Sequence, residues 1–248
     1  MEAVKSPSEG RVLLRNVSWE TYERLIAERE ERRVPRFHYD RGVMEIMSPS
    51  KRRESISRVA ALLVEILVLE MDLDVESAGS TTFKREGKAR GFEPDECFYF
   101  SENIERVRGK ENLDLEAGDP PPDLVIEVDV TNPSLDKLGI YARLGVAEVW
   151  RFSGGAAEIL VLRGEGYEAE DTSRALPLLT CDALIRFVNI GLTMTRSAWA
   201  REVREEVGRW KLERRRRSKS PLPNPKISPF LLLTIRLDVQ SYVLSMEV

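Results

Sequence analysis

The chain has 248 residues, of which 42% are hydrophobic and 32% are charged. This balance predicts a folded globular protein and excludes a disordered chain, and the length allows one substantial domain with appendages or two small domains. The formal net charge is -4 and the isoelectric point is near 5.4. Nucleic-acid binders more often carry a basic domain, although an enzyme that acts on DNA can confine its basic groups to a rim around an acidic centre.

The two cysteines, Cys97 and Cys181, are isolated and have no CxxC spacing. The sequence therefore predicts neither a zinc site nor a disulfide framework, and a reducing cytoplasm is the expected location. Residues 1–19 lack the positively charged and then apolar pattern of a signal peptide. The apolar run at 229–235 is far shorter than the roughly 18 residues that span a bilayer. We therefore expect a cytoplasmic protein with no membrane association.

The first part of the chain is predicted to form a helix, a two-stranded hairpin and a long helix, over residues 19–31, 36–39 with 43–47, and about 50–71. Ser18 is placed as the N-cap of the first helix. His38 is the single histidine and lies in the hairpin, where we expect it to be exposed. A histidine general base is therefore not expected.

The second part is predicted to form further strands over residues 74–77, 81–84, 96–100, 123–130, 147–152 and 158–162 with 167–170, and helices over 133–144 and 196–217. A charged loop is expected over 101–119. The strand at 123–130 is nearly continuous in apolar residues, which is typical of an interior strand covered on both faces. This order predicts an α/β (α+β) domain, with a mixed sheet flanked by helices, over residues 1–217. The composition then changes abruptly, so 218–248 is interpreted as an atypical C-terminal tail.

Two carboxylates lie inside the predicted interior strand. Glu127 and Asp129 point to the same side, because strand side chains alternate with a period of two. Isolated charge is costly to bury, so a shared proton, a basic partner or a divalent metal has to compensate it. Magnesium prefers oxygen ligands and takes one or two carboxylates together with water. A partly solvated position at the end of the strand is the alternative interpretation.

Other charged residues are ambiguous when taken one at a time. Asp95 follows Pro94 at the start of a predicted strand, where it either belongs to a common Pro-Asp turn or serves a chemical purpose. The basic clusters at 51–53 and 84–90 are interpreted as solvated loops. Lys137, taken alone, favours a surface ion pair with the adjacent Asp136 at the start of a helix.

An ordered series of motifs runs through the chain: MSPS at 47–50, PD at 94–95, PDLVIEV at 122–128, PSLDK at 133–137 and YARLGVAEVW at 141–150. This series resembles the PD-(D/E)XK nuclease superfamily and, more closely, the Uma-two family of restriction endonucleases, also called domain of unknown function 820. The resemblance covers roughly residues 17–187. It implies a restriction-endonuclease-like fold and Mg²⁺-dependent hydrolysis of DNA phosphodiester bonds, with Mn²⁺ as a substitute.

The resemblance also implies a role for each matching residue. Asp95 and Glu127 would be metal ligands, and Glu54 would reach the metal directly or through water. Asp129 would be either a further ligand or only a neighbour of the site. The superfamily places a lysine two residues after the strand acid, where this chain has Asp129. Lys137 matches a lysine typical of the family and would stabilise charge on the phosphate or orient the attacking water.

This departure leaves more than one functional hypothesis. The first is a Mg²⁺-dependent DNA endonuclease, which the retained carboxylates favour. The second is a nuclease-fold protein that binds nucleic acid or a protein partner without cutting, and the third is a structural dimer module. A homodimer also suits the first hypothesis, because cleaving both strands usually needs two active centres, and the helix at 196–217 is the predicted interface.

Overall fold

The computed structural model describes residues 10–29, 34–130 and 135–219. The strands are β1 (Gly10–Leu14), β2 (Arg36–Asp40), β3 (Val43–Ser48), β4 (Val75–Ser77), β5 (Phe83–Arg85), β6 (Arg90–Phe92), β7 (Glu96–Phe100), β8 (Leu124–Asp129), β9 (Glu148–Ser153), β10 (Ala156–Arg163) and β11 (Gly166–Glu170). The helices are α1 (Trp19–Glu28), α2 (Lys51–Met71), α3 (Glu102–Val107), α4 (Lys137–Leu144), α5 (Cys181–Gly191) and α6 (Arg196–Lys219).

The chain divides into two compact units, residues 1–208 and 209–248. The described part of the second unit is the end of α6, and most of the predicted tail at 218–248 lies outside the described residues. Everything that follows concerns the first unit. Within the described ranges, no helix has the length and apolar character needed to cross a bilayer.

The strands form two sheets. One has the order β1-β3-β2-β6-β5 and is antiparallel, and the other has the order β11-β10-β9-β8-β7-β4. The second sheet is mixed, because β8 and β9 are parallel neighbours and their connection contains α4, as a parallel pair requires. The predicted mixed sheet with flanking helices is confirmed. The hairpin β2–β3, however, belongs to the separate antiparallel sheet.

Strand β8 is the interior strand that its apolar sequence predicts. All six of its residues are buried. Strand β7 pairs with it on one side and β9 on the other, while α2 packs against it. A charged side chain on β8 is therefore largely shielded from water, which makes the compensation of Glu127 and Asp129 a structural necessity.

Local signals set the ends of the helices around β8. Ser50 caps the start of α2, and its Oγ accepts a hydrogen bond of 3.2 Å from Arg53 N. Helix α4 begins after Asp136, which caps it, and the predicted start at Pro133 lies outside the described residues. It ends at Leu144, as predicted, and the following Gly145 has a φ of 91°, which favours glycine.

Four elements are missing from the sequence prediction: β1, β6, α3 and α5. Strand β6 has three residues, which are too few to show a periodic pattern. Its Gly91 lies against the Tyr22 ring, and a Cβ at this position would come within 2.1 Å of Tyr22 Oη. Helix α3 lies in the segment predicted as a charged loop. It forms because Ile104 and Val107 bury one face against the core.

The prediction that His38 is exposed is wrong. His38 is fully buried in β2, because β3 and β6 flank this strand and α4 packs against it. Neither ring nitrogen has a hydrogen-bond partner within the described ranges. Burial, followed by the nearby Lys137 ammonium, holds the pKa of His38 well below its ordinary value, so the ring is neutral in the folded protein.

A neutral buried histidine makes stability depend on pH. The unfolded chain takes up a proton near the ordinary pKa of about 6.5, whereas the folded chain does not. Above about pH 6.5, His38 is neutral in both states and does not change the free energy of unfolding with pH. Below that pH, the free energy of unfolding falls by up to about 1.4 kcal/mol per pH unit. Urea unfolding at a series of pH values between neutral and mildly acidic should show this loss, and His38→Gln should flatten it.

Because His38 is the single histidine of the chain, the difference between the two proteins isolates its titration. Tyr39→Phe is the matched control on the same strand. It removes a hydrogen bond to Val17 O but leaves His38 in place, so it should leave the pH slope unchanged. An equal slope in the wild type and in His38→Gln would contradict the burial of a neutral ring.

Candidate active site

Three carboxylates meet where β7 and β8 lie side by side. Asp95 directly precedes β7, and the antiparallel pairing of Glu96 with Ile126 brings Asp95 next to Glu127. Asp95 Oδ2 accepts a hydrogen bond of 2.7 Å from Val128 N. The side chains of Asp95, Glu127 and Asp129 retain 1%, 2% and 7% exposure. The structure thus brings together the three predicted metal ligands, here called the carboxylate cluster.

Arg53 lies among these carboxylates. Its Nη1 donates to Asp95 Oδ2 at 2.8 Å and to Glu127 Oε1 at 3.2 Å, and its Nη2 lies 3.9 Å from Asp129 Oδ1. The side chain is fully buried, so the interpretation of residues 51–53 as a solvated loop is wrong for Arg53. Of the three compensations that the sequence leaves open, the structure contains the basic partner.

Helix α4 brings two more donors to Glu127. Lys137 Nζ donates to Glu127 Oε1 at 2.5 Å, and Tyr141 Oη donates to Oε2 at 2.6 Å. The two residues are four positions apart and therefore share one face of the helix. Lys137 is buried, so the alternative of a surface pair with Asp136 is excluded. Asp136 instead accepts a hydrogen bond from Gly139 N at 3.0 Å.

Glu54 joins the cluster through a second arginine. Arg36 forms an ion pair with Asp95 and donates from Nη2 to Glu54 Oε1 at 2.8 Å. The Glu54 side chain is 50% exposed, whereas Arg36 is buried. Glu54 therefore lies at the solvent edge of the cluster, one arginine away from Asp95.

The surrounding charges set the ionisation of the carboxylates. Burial raises the pKa of Glu127, but the charges of Lys137 and Arg53 outweigh burial and hold that pKa well below its ordinary value. Burial and then the Glu127 charge raise the pKa of Asp129. Asp129 Oδ1 is also buried without a hydrogen-bond partner in the part of the chain that the structure describes. Glu127 is thus ionised, whereas Asp129 has one oxygen, Oδ1, that accepts no hydrogen bond within the described ranges.

A cavity of about 320 Å³ lies beside Asp129. Phe152 and Val188 supply apolar wall, and the exposed Arg52 and the polar Asn189 also line it. The carboxylate cluster therefore borders a space that a ligand can enter next to Asp129.

In their present arrangement, the carboxylate oxygens of the cluster do not fit a divalent cation. Magnesium needs oxygen lone pairs in near-octahedral geometry. Both oxygens of Glu127 accept hydrogen bonds, from Lys137, Arg53 and Tyr141, and both oxygens of Asp95 face arginine nitrogens. Across residues 10–29, 34–130 and 135–219, no group of three or more His, Cys, Asp or Glu side chains is placed to hold a metal ion.

Sequence reasoning missed Arg53, Arg36, His38 and Tyr141 as members of this centre. A signal existed for Arg53, because it shares a helix face with the buried Ser57 and Ala60 of α2. For Arg36 no comparable signal exists, since its partner Asp95 is distant in sequence.

Comparisons with known proteins identify the family of this chain. The family model Uma2, described as "Putative restriction endonuclease", matches residues 19–194. A crystal structure from Anabaena variabilis, described as "a putative nuclease belonging to DUF820", is similar over 62% of this chain and 92% of its own, with 13% sequence identity and a TM-score of 0.44. No curated protein matches the chain. Because the family model spans well over half of the sequence, this chain belongs to the Uma2 family.

Proposed function

We propose that the protein is an endonuclease that hydrolyses phosphodiester bonds of DNA. The observation that carries the proposal is the meeting of Lys137, Glu127 and Asp95 from α4, β8 and the start of β7, with Lys137 Nζ 2.5 Å from Glu127 Oε1. These are the residues to which the family resemblance gives catalytic roles. Membership of a family described as restriction endonucleases supports a nuclease in general, and DNA is the substrate that this description favours.

The side chains of the centre suit the charge that develops during the reaction. Phosphodiester hydrolysis places negative charge on the phosphoryl oxygens, and a cation held in position beforehand stabilises it without reorganisation. Glu127 holds Lys137 and Arg53 in this way. Asp129 lines the adjacent cavity, so its carboxyl group is the part of the cluster that an attacking water in that cavity would meet.

Mg²⁺, with Mn²⁺ as its substitute, stays a prediction for this centre. The carboxylate oxygens that would bind it are engaged by arginine, lysine and tyrosine donors. The roles above are therefore assigned to the side chains alone.

A second candidate is a nuclease-fold protein that binds nucleic acid or a protein partner but does not cut. The observation that favours it is that the three carboxylates already have cationic partners, namely Arg36, Arg53 and Lys137. Carboxylates paired in this way have less need of a divalent cation. The two candidates differ in whether bound DNA is cleaved.

Plasmid cleavage tests the proposal directly. The full-length protein should nick supercoiled plasmid DNA, with reactions run in EDTA, in Mg²⁺ and in Mn²⁺ and followed over time on agarose gels. Lys137→Met should lower the rate by about 100-fold, because it removes a positioned cation from the phosphate. Asp95→Asn and Glu127→Gln should also lower the rate, because each releases Arg53 from a partner that positions it.

Asp123→Asn is the matched control for these variants. Asp123 is also a carboxylate that precedes a strand, but it accepts hydrogen bonds from Phe100 N and Asn103 Nδ2 and lines a different cavity. Circular dichroism verifies that each variant is folded. Unchanged nicking by Asp95→Asn and Glu127→Gln would remove this site from consideration. Retardation of DNA in a gel without cleavage in any metal would favour the second candidate.

We also propose a homodimer, because cutting both strands of a duplex usually needs two active centres. Sedimentation velocity at high protein concentration should then give twice the 28.3 kDa chain mass. Sedimentation as a monomer at every concentration would contradict the dimer, and in that case we expect nicked rather than linear plasmid as the product.

The cytoplasm stays the predicted compartment. Cys97 and Cys181 are both free thiols. Burial raises the pKa of the Cys97 thiol well above its ordinary value, which keeps it protonated and unreactive. Two unpaired thiols suit a reducing environment.

A further inference from the structure

Arg53 occupies the centre of the carboxylate cluster. One guanidinium group lies within 3.9 Å of oxygens from Asp95, Glu127 and Asp129, which are the three residues that the resemblance assigns to a divalent cation. Arg36 is paired with Asp95, and Lys137 is paired with Glu127. Among these cations, Arg53 is the one whose contacts extend to all three carboxylates.

The backbone holds Arg53 in this position. It lies in the first turn of α2, where its N–H donates to the capping Ser50 Oγ at 3.2 Å. Helix α2 packs against β8, which carries Glu127 and Asp129. The guanidinium group is therefore fixed over the carboxylates by a helix start and by helix-to-sheet packing, and not by a loop.

Electrostatics make Arg53 and a divalent cation alternatives. Arg53 and Lys137 already lie among the three carboxylates, and Arg36 is shared between Asp95 and Glu54. A divalent ion added to this buried set would meet a guanidinium group at close range in a medium that screens charge poorly. Removal of Arg53 takes one positive charge from the set and one donor from each of Asp95 Oδ2 and Glu127 Oε1. These two oxygens keep one hydrogen bond each, from Val128 N and from Lys137 Nζ.

We propose that Arg53 is the resident cation of the carboxylate cluster, and that a divalent metal ion binds these carboxylates only when Arg53 is displaced or removed. Arg53 thereby sets the metal affinity of the centre. This inference deepens the proposed function, since it concerns control of the same site. It concerns metal binding measured without DNA, however, and does not depend on cleavage.

Calorimetric titration of the full-length protein with Mn²⁺ alone tests the proposal. We expect the wild type to bind Mn²⁺ weakly, with a dissociation constant in the millimolar range or above. Arg53→Met removes the charge and keeps an unbranched side chain, and it should bind Mn²⁺ roughly tenfold or more tightly than the wild type. Adding Asp95→Asn to Arg53→Met should abolish the gain, because it removes the negative charge of one of the three carboxylates.

Lys51→Met is the matched control. Lys51 is a cation on the same helix, but it is exposed and does not line the cavity beside Asp129, so its removal changes the net charge of the protein equally without opening the cluster. It should leave the Mn²⁺ affinity at the wild-type value. An equal gain in Lys51→Met and Arg53→Met would assign the effect to overall charge and overturn the proposal.

Two further outcomes also decide the matter. Micromolar binding of Mn²⁺ to the wild type would overturn the proposal, and this measurement needs no variant to fold. A folded Arg53→Met with unchanged affinity would overturn it as well. If Arg53→Met does not fold, the Tm of the wild type is measured with and without millimolar Mn²⁺ instead. An unchanged Tm supports the proposal, and a clear rise in Tm refutes it. Failure of every protein to cleave plasmid DNA would count against the proposed function and would leave the metal result standing.

Discussion

The buried charge of Glu127 is the constraint on which the rest of this structure depends. It lies in the interior strand β8 with 2% exposure, and two helices supply its partners. Arg53 comes from α2, and Lys137 and Tyr141 come from α4. Loss of one partner of a buried ion pair costs about 3–5 kcal/mol, a large part of the roughly 5–15 kcal/mol that stabilises a domain. The packing of both helices against the mixed sheet is therefore tied to this one carboxylate.

Such a cluster is a poor device for stability alone. Replacing a buried ion pair with apolar side chains of similar volume is often neutral or stabilising, because desolvation cancels much of the attraction. A strand that runs Leu-Val-Ile-Glu-Val-Asp could continue its apolar pattern through positions 127 and 129 at no cost to packing. Charged groups that are retained in so costly a position, next to a cavity, point to chemistry as their reason.

The sequence predicted what local pattern determines and missed what distant contacts determine. The apolar run of β8, the capped and periodic α2 and the glycine end of α4 are local signals, and each is confirmed. His38 looked exposed because nothing in its own segment shows that β6 and α4 cover β2. Arg53 looked solvated for the same reason, since its partner Glu127 is 74 residues away. The candidate carboxylates were predictable from motif order, whereas the cations that neutralise them were visible only in three dimensions.

The departure from the superfamily pattern can be understood as a relocation of positive charge. Asp129 takes the strand position where the superfamily places a lysine, which would leave β8 with two carboxylates and no cation. The structure offsets this from neighbouring elements: Lys137 reaches Glu127 from α4, and Arg53 reaches both Glu127 and Asp129 from α2. An ammonium group next to the strand acid is thus regained from a different backbone position, but together with a guanidinium group that competes for the same oxygens. The exchange keeps positive charge beside the strand acid, and under our proposal it makes the metal affinity of the cluster depend on Arg53.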